Sequence, residues 1–370
     1  MKIETKKAKF RQPLYLESGR LLEPWEIVYE TYGELNENKD NVILITHALS
    51  GSHHAAGKYS EEDKKAGWWD DFIGDGKAVD TTKYFVISTN VIGSCFGSTS
   101  PLHPIQPGST QRYGLKFPVI TIKDMVKAQK ILLDSLGISH LRAIIGVSMG
   151  GMQALRFAVE YPGFADDIIP MATTYQTRAG VIAINKIMKD AILADPEFKN
   201  GEYDPIEITK NGLRGLEIAR MMGFLGYLSP KSFDKKFGRE YVKTDGMFEL
   251  FGRFQVESYL EYNGANFPKW FDPLSYIYIL KAISLFDLSR GYISLADALN
   301  HITDRLHLIS FKGDTLFYPQ EMEKIKEEMD KLNKFCAYYE IDSDYGHDSF
   351  LVEVEKFEHI IKNILKETKC

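Results

Sequence analysis

Cysteine is scarce in this sequence. The 370 residues include three cysteines, Cys95, Cys336 and Cys370. Such an odd and sparse set provides no disulfide framework and no zinc-ligand spacing, and it is typical of a protein kept in a reducing compartment. The first residues, MKIETKKAKFRQP, are polar and basic and lack the apolar stretch of a secretory signal. We therefore expect a cytoplasmic protein.

Long apolar runs and an excess of positive charge are absent as well. No apolar run approaches the ~20 residues that cross a membrane, so we expect no membrane span. Acidic residues number 51 and basic residues 45, and the net charge of −6 argues against a general nucleic-acid binder, which needs a broad basic surface. A small anionic ligand needs only a local cationic cluster and stays compatible. With 44% apolar residues, the chain has the composition of a globular protein with a large core.

Short apolar runs, several of them uninterrupted, predict the strands of a parallel sheet that is buried on both faces. The predicted strands cover residues 26–32, 42–47, 84–89, 141–147, 167–173, 306–312 and 337–342. Helical periodicity over residues 120–137 and 152–162 lies between these runs. This alternation of strand and helix predicts an α/β fold with a doubly wound, mostly parallel sheet.

Residues 175–300 break the alternation, because they contain a succession of helix-like segments, the last of which covers residues 274–290. A block of this length is too long for a loop. We therefore predict three parts: residues 1–174 form the first part of an α/β core, residues 175–300 an inserted helical lid domain, and residues 301–370 the second part of the core. The lysine-rich ends at 2–9 and 362–369 are expected to be solvated termini.

The sharpest local motif is GVSMG at residues 146–150. It follows the predicted strand 141–147 and precedes a helix, which is the context of a nucleophile held on a tight strand-to-helix turn. Glycines on either side of Ser148 remove side chains that would collide there, and the following helix N-terminus favours developing negative charge. The motif predicts Ser148 as a nucleophile. A plain turn with a capping serine is the alternative.

A nucleophilic serine needs a base, and the base needs a carboxylate that orients it. In α/β folds that hold a nucleophilic serine on such a strand-to-helix turn, the three residues follow one another in the chain in the order serine, acid, histidine. His347 follows the last predicted strand and is the best placed of the nine histidines. Asp314 follows the penultimate strand and is the preferred acid, with Asp342 and Asp344 as rivals close to His347 in the chain.

Two backbone N–H groups are needed to bind an oxyanion. One is expected from Met149, the residue after the nucleophile, and the other from Leu49 in the loop after an early strand. Three histidines, His47, His53 and His54, lie in that loop, but no carboxylate or thiolate falls at ligand spacing, so we expect no metal. Cys95 lies in a segment rich in glycine and serine and is expected to be part of a pocket wall.

The helical block contains an arginine in an apolar segment. Arg220 and Tyr227 are seven residues apart and share a face if their helix is continuous. An arginine beside a catalytic cleft suits a substrate carboxylate, which it can bind with two parallel hydrogen bonds. A surface arginine or an internal ion pair fits the spacing equally well.

Several long segments match a known family over nearly the whole chain. They are YETYGELN (29–36), HALSGSHHAAG (47–57), the segment from GWWDDFIGDG to GSTSP (67–101), FPVITIKDMV (117–126), GVSMGGMQAL (146–155), YLSPKSFDKKFGR (227–239), VESYLEYNGANF (256–267) and SDYGHDSFL (343–351). On these residues the chain resembles the homoserine O-acyltransferases of methionine biosynthesis. The resemblance implies an α/β-hydrolase fold with a helical lid.

The resemblance also implies roles for residues. Ser148 becomes the nucleophile of a triad that Asp314 and His347 complete. Arg220 would bind the carboxylate of the amino-acid substrate, Tyr227 would line the same pocket, and Asp348 would meet the substrate amino group. The implied co-substrates are acetyl-CoA, or in some members succinyl-CoA, and L-homoserine, in a ping-pong reaction without a permanently bound cofactor. Members of the family commonly pair as homodimers through the lid helices.

The chain departs from the family pattern at five places, Ser94, Ser100, Val147, Trp270 and Leu274. The triad positions are intact, whereas these changes affect the shape of the pocket. Three functional hypotheses follow from the residues. An acyltransferase is the first, an esterase or thioesterase with the same triad is the second, and a ligand-binding receptor on a hydrolase scaffold is the third.

Overall fold

A computed structural model of the protein describes residues 3–243 and 247–367. Strands in these residues form one main sheet of eight, composed of β1 (Ile3–Phe10), β2 (Trp25–Tyr32), β3 (Val42–Thr46), β4 (Phe85–Thr89), β5 (Leu141–Val147), β6 (Ala165–Met171), β7 (Arg305–Phe311) and β8 (Cys336–Ile341). Their order across the sheet is β1-β2-β4-β3-β5-β6-β7-β8. Strand β2 runs antiparallel to both of its neighbours, and the other pairings are parallel.

The middle of the sheet is buried on both faces, as its uninterrupted apolar runs predict. Every residue of β3 and β5 is buried. Successive side chains on a strand point to opposite faces, so Val42 and Leu44 join one apolar cluster, while Ile43 and Ile45 join a second one across the sheet. All seven predicted strands are confirmed, with ends within two residues of those observed.

The first strand corrects the prediction of a solvated amino terminus over residues 2–9. Residue 2 lies outside the described residues, but Ile3–Phe10 pairs along its whole length with β2. Phe10 stacks on Trp25 with ring centroids 4.3 Å apart, which anchors the end of the strand. The lysines lie on an edge strand, where charge discourages pairing with another chain. The lysine-rich pattern therefore indicates a sheet edge here.

The carboxyl-terminal prediction over residues 362–369 is also corrected in part. A helix runs from Glu358 to Lys366, and the Arg142 side chain donates hydrogen bonds to the carbonyls of Ile364 and Glu367. This segment is consequently docked onto the core. Residues 368–370, including Cys370, lie outside the described residues.

Helices cover both faces of the sheet. In the described residues they are α1 (Ile122–Ser135), α2 (Met149–Glu160), α3 (Ala179–Leu193), α4 (Pro205–Asn211), α5 (Arg214–Tyr227), α6 (Pro230–Phe237), α7 (Gln255–Asn266), α8 (Pro273–Ser284), α9 (Leu295–Asn300), α10 (Pro319–Lys331), α11 (Ser349–Val352) and α12 (Glu358–Lys366). Short 3₁₀ helices occur at Gly114–Lys116, Pro196–Gly201, Phe267–Lys269 and Val354–Lys356, and two-residue strand pairs at Leu14–Tyr15 with Leu21–Leu22 and at Ile73–Gly74 with Val79–Asp80.

Helices α3 to α9 lie between β6 and β7 in the chain, in the region of the predicted helical block, and we call them the helical insertion. The last long one, α8, ends at Ser284, although the apolar pattern continues to Arg290. Asp287 explains this end, because its carboxylate accepts hydrogen bonds from the backbone and hydroxyl of Ser289 and closes a turn. One apolar cluster runs from α1 into the insertion. The division at residues 174 and 300 stays a prediction.

The parallel strands bring their carboxyl ends to one edge of the sheet. Loops that follow β3, β5, β7 and β8 therefore meet there, and ligand sites of α/β sheets form at this edge. These four loops carry Leu49, Ser148, Asp314 and His347, in that order.

Candidate active site

Ser148 occupies the turn between β5 and α2. Its backbone has φ 56° and ψ −120°, a conformation that L-residues rarely adopt. Strain of this kind persists only where the surrounding structure imposes it. Here Ser148 N–H donates to Met171 O over 2.9 Å, and the Thr173 hydroxyl donates to Ser148 O over 2.8 Å. The serine side chain is thus held on a rigid turn.

The two glycines of the motif allow this turn to pack closely. A Cβ atom on Gly146 would collide with Gly150 O and with the Thr46 side chain, and one on Gly150 would collide with Thr46 O. Thr46 Oγ1 donates to Gly150 O over 2.8 Å, which ties the end of β3 to the turn. The loop after β3 therefore begins in direct contact with the serine turn.

The structure brings Ser148, His347 and Asp314 together in a buried chain of hydrogen bonds. His347 Nε2 lies 2.8 Å from Ser148 Oγ, and His347 Nδ1 lies 2.7 Å from Asp314 Oδ2. Asp314 Oδ1 accepts the backbone N–H groups of Leu316 and Phe317, each over 2.9 Å. This arrangement places a base next to a hydroxyl nucleophile and fixes the imidazole through the carboxylate.

The rival acids lie elsewhere. Asp342 is exposed and lies 3.8 Å from Lys312, and Asp344 pairs with Lys231 at the surface. His359 is exposed on α12. Asp314 is the one of the three candidate acids that reaches the imidazole.

The pKa values of His347 and of its neighbour Asp348 differ from those of the free side chains. Burial on its own would lower the pKa of His347, but the charge and hydrogen bond of Asp314 outweigh burial and raise it. Burial raises the pKa of Asp348 to about 6, against the opposing effects of His347 and Arg220. Perturbed groups of this kind cluster at functional sites.

The expected oxyanion donors belong to the helix that follows the serine and to the loop that follows β3. Met149 is the first residue of α2, so its N–H has no acceptor within the helix. Leu49 lies in the loop of residues 47–57 that follows β3, which we call the oxyanion loop. Its first residue, His47, accepts the N–H of Val91 on Nε2 over 3.2 Å and the side-chain amide of Gln153 on its carbonyl over 3.3 Å. Gln153 belongs to α2, so the loop and the serine helix are joined directly.

Arg220 reaches the same region from the helical insertion. Its guanidinium lies over the rings of Phe224, Tyr227 and Phe267, with its central carbon 4.8, 5.2 and 4.7 Å from the three centroids. Nη1 lies 3.5 Å from Ser50 Oγ in the oxyanion loop. Both Arg220 and Tyr227 belong to α5, as their spacing predicts.

Asp348 completes this group. Its backbone N–H donates to Tyr227 O over 3.1 Å, which joins the end of α5 to the residue after His347. A cationic and an acidic side chain thus lie on the insertion side of the serine. Sequence reasoning missed Ser50 and Phe267 as members of this group, although both lie in the family-like segments 47–57 and 256–267.

Neither the histidines of the oxyanion loop nor Cys95 forms an obvious second reactive centre. In residues 3–243 and 247–367, no three His, Cys, Asp or Glu side chains are grouped so that they could hold a metal ion. Burial lowers the pKa of His47 to about 4 and raises the pKa of the Cys95 thiol to about 12. Cys95 lies instead beside Trp270 and Phe271 in the wall of a small pocket of about 140 Å³.

Comparisons with known proteins identify the fold and the family of this chain. A sequence-family model described as the alpha/beta hydrolase fold matches residues 41–354. The homoserine O-acetyltransferase of Nautilia profundicola is 77% identical over 366 residues, which cover 99% of each chain. The chain belongs to the homoserine O-acetyltransferase family.

Solved structures show how closely this family resembles esterases. The crystal structure of homoserine O-acetyltransferase from Bacillus anthracis matches with a TM-score of 0.91 and 30% identity, over 99% of this chain and 98% of that one. Esterase E22 matches with a TM-score of 0.89 and 30% identity, over 99% of this chain and 100% of that one. The shared fold therefore does not decide between transfer and hydrolysis.

The five departures from the family pattern have different surroundings. Four of them are buried, namely Ser94, Ser100, Val147 and Leu274, whereas Trp270 is 45% exposed and lies against Phe96, with ring centroids 6.4 Å apart. Within the described residues, the hydrogen-bond partners of the Ser148, His347 and Asp314 side chains are one another and the backbone of Leu316 and Phe317, so none of the departures is among them.

Of the helices in residues 3–243 and 247–367, none has the length and apolarity to cross a bilayer.

Proposed function

We propose that this protein is a homoserine O-acetyltransferase, which transfers the acetyl group of acetyl-CoA to the hydroxyl of L-homoserine through an acetylated Ser148. The observation that carries the proposal is the pairing of two features at one site. The first is the buried Ser148–His347–Asp314 chain, in which Ser148 can accept an acyl group from a thioester. The second is the pair of Arg220 and Asp348, which provide opposite charges for the carboxylate and ammonium groups of an amino acid. The similarity to the Nautilia protein supports it.

In the first half-reaction, Ser148 Oγ attacks the thioester carbonyl while its proton passes to His347 Nε2. The N–H groups of Met149 and Leu49 bind the oxygen that becomes negative, and Asp314 stabilises the imidazolium. The tetrahedral adduct then expels the CoA thiolate, which takes the proton from His347. Acetyl-CoA is thus a co-substrate, and we propose no resident cofactor.

In the second half-reaction, the homoserine hydroxyl attacks the acetyl-serine and gives its proton to the neutral His347. Collapse of the second tetrahedral adduct returns that proton to Ser148 Oγ and releases O-acetylhomoserine. Arg220 binds the homoserine carboxylate and Asp348 its ammonium, and Tyr227 lines the pocket. The helical insertion limits access of water, which would otherwise hydrolyse the acetyl-enzyme.

Hydrolysis is the second candidate function, and the match to esterase E22 favours it. A thiol-release assay distinguishes the two. We expect thiol release from acetyl-CoA to be fast with homoserine and slow with water or serine, with succinyl-CoA a poor donor. With acetyl-CoA alone, one acetyl group should appear by intact mass, and Ser148→Ala should abolish it. A rate of thiol release that is the same with and without homoserine would establish hydrolysis as the function.

Two further properties belong to this proposal. We propose a homodimer through the helices of the insertion, because α5 and α7 expose apolar side chains such as Leu225 and Tyr262, at 55% and 71%. We also propose a cytoplasmic location, in keeping with the sparse cysteine content noted from the sequence.

A further inference from the structure

Two family-like segments, residues 29–36 and 47–57, contain polar side chains that the proposed reaction does not use. The structure brings them together at Glu30, a residue of β2 with no exposed surface. Its Oε1 accepts hydrogen bonds from the hydroxyls of Thr5, over 2.8 Å, and Tyr59. Its Oε2 accepts from the Tyr32 hydroxyl over 2.5 Å and lies 3.0 Å from His54 Nδ1. Four side chains thus hydrogen-bond to one buried carboxylate, and His53 Nε2 lies 3.7 Å from its Oε1.

This arrangement suits an ionised carboxylate. A carboxylate has about four acceptor sites and no donor, and here each oxygen has two partners. Burial would raise the pKa of Glu30, but the hydrogen bonds from His54, Tyr32, Tyr59 and Thr5 together lower it. A buried charge that is only partly satisfied would be strongly destabilising. The complete set of partners indicates that the charge itself has a role in this place.

The partners of Glu30 fix one arm of the oxyanion loop. The Tyr32 hydroxyl donates to Glu30 and accepts the backbone N–H groups of Ala55 and Ala56, over 2.8 and 3.3 Å. His54 is held between the carboxylate and the ring of Tyr59, on which it stacks with centroids 4.2 Å apart. Residues 54–56 are therefore fastened to β2 by side chain and backbone together.

The other arm of the loop is fixed at His47, which Val91 and the Gln153 side chain hold as described above. Between the arms, Trp68 Nε1 donates to Ser52 O over 2.9 Å. Leu49 lies between these attachments in the chain, and in the proposed reaction its N–H must point at the carbonyl oxygen, whose negative charge develops as the tetrahedral adduct forms. Such donors act through preorganisation, so a small displacement is costly.

We infer that Glu30 is a positioning residue for the oxyanion hole, because its carboxylate anchors residues 54–56 and thereby sets the place of Leu49. The inference rests on the role that the proposed function gives to Leu49. Glu30 touches no reacting atom and acts through Tyr32 and His54.

Glu30→Gln tests this role with almost no change in shape. The amide NH₂ replaces an oxygen that accepts two hydrogen bonds and removes the negative charge. The two partners on that side can stay hydrogen-bonded only if they reorient a hydroxyl or change tautomer and accept instead of donating. Glu26→Gln is the matched control, because Glu26 lies on the same strand but pairs with Lys7 and His103 away from the loop. Tyr32→Phe is a second variant, which keeps the ring and removes the hydroxyl.

The measurement is the acylation burst with p-nitrophenyl acetate, divided by the number of active serines counted from complete fluorophosphonate labelling. Loss of a whole oxyanion donor costs about 10²–10³-fold, so a displaced donor should lower the rate per active serine about 10- to 100-fold in Glu30→Gln. We expect Tyr32→Phe to change in the same direction, KM to move little, and Glu26→Gln to stay within about twofold.

A role in folding alone gives a different result. Fewer serines would then be labelled, but each labelled serine would react at the normal rate, and that outcome in Glu30→Gln and Tyr32→Phe would overturn the inference. The ester probe contains neither CoA nor homoserine. A failure of acetyl transfer to homoserine in the unmodified protein would therefore refute the proposed function and leave this test valid.

Discussion

At the scale of single residues, two carboxyl groups flank His347 and have different surroundings. Asp314 is buried and accepts two backbone N–H groups on the oxygen that does not meet the imidazole. Asp348 is partly exposed, and burial raises its pKa to about 6. The first environment holds the carboxylate fixed against the imidazole, which suits support of an imidazolium. The second leaves a carboxylate facing the pocket, which suits a substrate ammonium group.

Asp314→Asn should preserve the fold and lower turnover by up to ~10⁴-fold, because His347 loses both its tautomer and the charge that stabilises its protonated form. The measurement is thiol release in the presence of homoserine, with the folded state checked by circular dichroism. Asp342→Asn and Asp344→Asn serve as controls and should stay close to the unmodified rate. A severe loss in either control with a mild one in Asp314→Asn would refute the assignment.

The pH dependence of the first half-reaction should report His347. The base acts when neutral, and its pKa is raised above the ordinary 6.5, so thiol release should decline on the acid side from a pH above 6.5. The negative charge of Asp348 contributes to that shift. Removing this charge in Asp348→Asn makes the imidazolium less stable, so the acid limb should move to lower pH while the plateau rate changes little. Single-turnover profiles would show it, and a limb that moves to higher pH would contradict the electrostatic account.

Much of the residue-level site could be predicted, since Ser148 is defined by a local sequence of strand, turn and helix. Asp314 and His347 follow from chain order and from the strands that precede them. The contact of Ser50 with Arg220 could not be predicted, because it joins residues 170 positions apart through the packing of the insertion. The cluster around Glu30 is of the same kind, since it depends on how β1, β2 and the oxyanion loop meet.

At the scale of elements, α5 connects the insertion to the reacting groups. Arg220→Ala should weaken use of homoserine about 30-fold to several thousand-fold, because a truncated buried charge pair costs ~2–5 kcal/mol and ~1.4 kcal/mol corresponds to tenfold. Acetylation of Ser148 should hardly change, since the first half-reaction involves no amino-acid carboxylate.

Arg214→Ala is the matched control for that prediction. Arg214 begins the same helix, but its side chain is 61% exposed and pairs with Glu217, so its loss should affect neither half-reaction. Single-turnover thiol release and transfer to homoserine measure the two steps separately. An equal loss in both steps for Arg220→Ala would indicate a role in folding or CoA binding, and no loss in either would remove the acceptor assignment.

Elements were easiest to predict where burial is continuous. Strand β5 was predicted with its observed ends, because its run of apolar residues is buried on both faces. Strand β1 was missed, since its sequence IETKKAKF contains three lysines and few apolar side chains to bury, and pairing with β2 stabilises it. The early end of α8 was missed because a side-chain hydrogen bond at Asp287 ends the helical segment while the apolar composition continues.

At the scale of the whole molecule, the helical insertion contains a group of exposed apolar side chains. Phe248, Leu250 and Phe251 precede α7 and are 93%, 89% and 88% exposed. A large apolar side chain gains about 1.5–3 kcal/mol when it is fully buried, and clustered exposure of this kind marks interaction surfaces. A stable pair of chains needs about 800 Å² from each partner, and this segment together with α5 and α7 is the part of the insertion that we expect to supply it.

The double variant Phe248→Asp and Phe251→Asp should therefore convert a dimer into a monomer, because two buried charges would oppose each other across a symmetric contact. Light scattering after size-exclusion chromatography measures the mass directly. Ile293→Asp is the control, since Ile293 is 96% exposed but lies between α8 and α9, and it should stay dimeric. If the unmodified protein is a monomer at micromolar concentration, or if the double variant remains a dimer, this segment is not the interface. A dimer that persists through the double variant would place the contact on another face of the insertion or outside it.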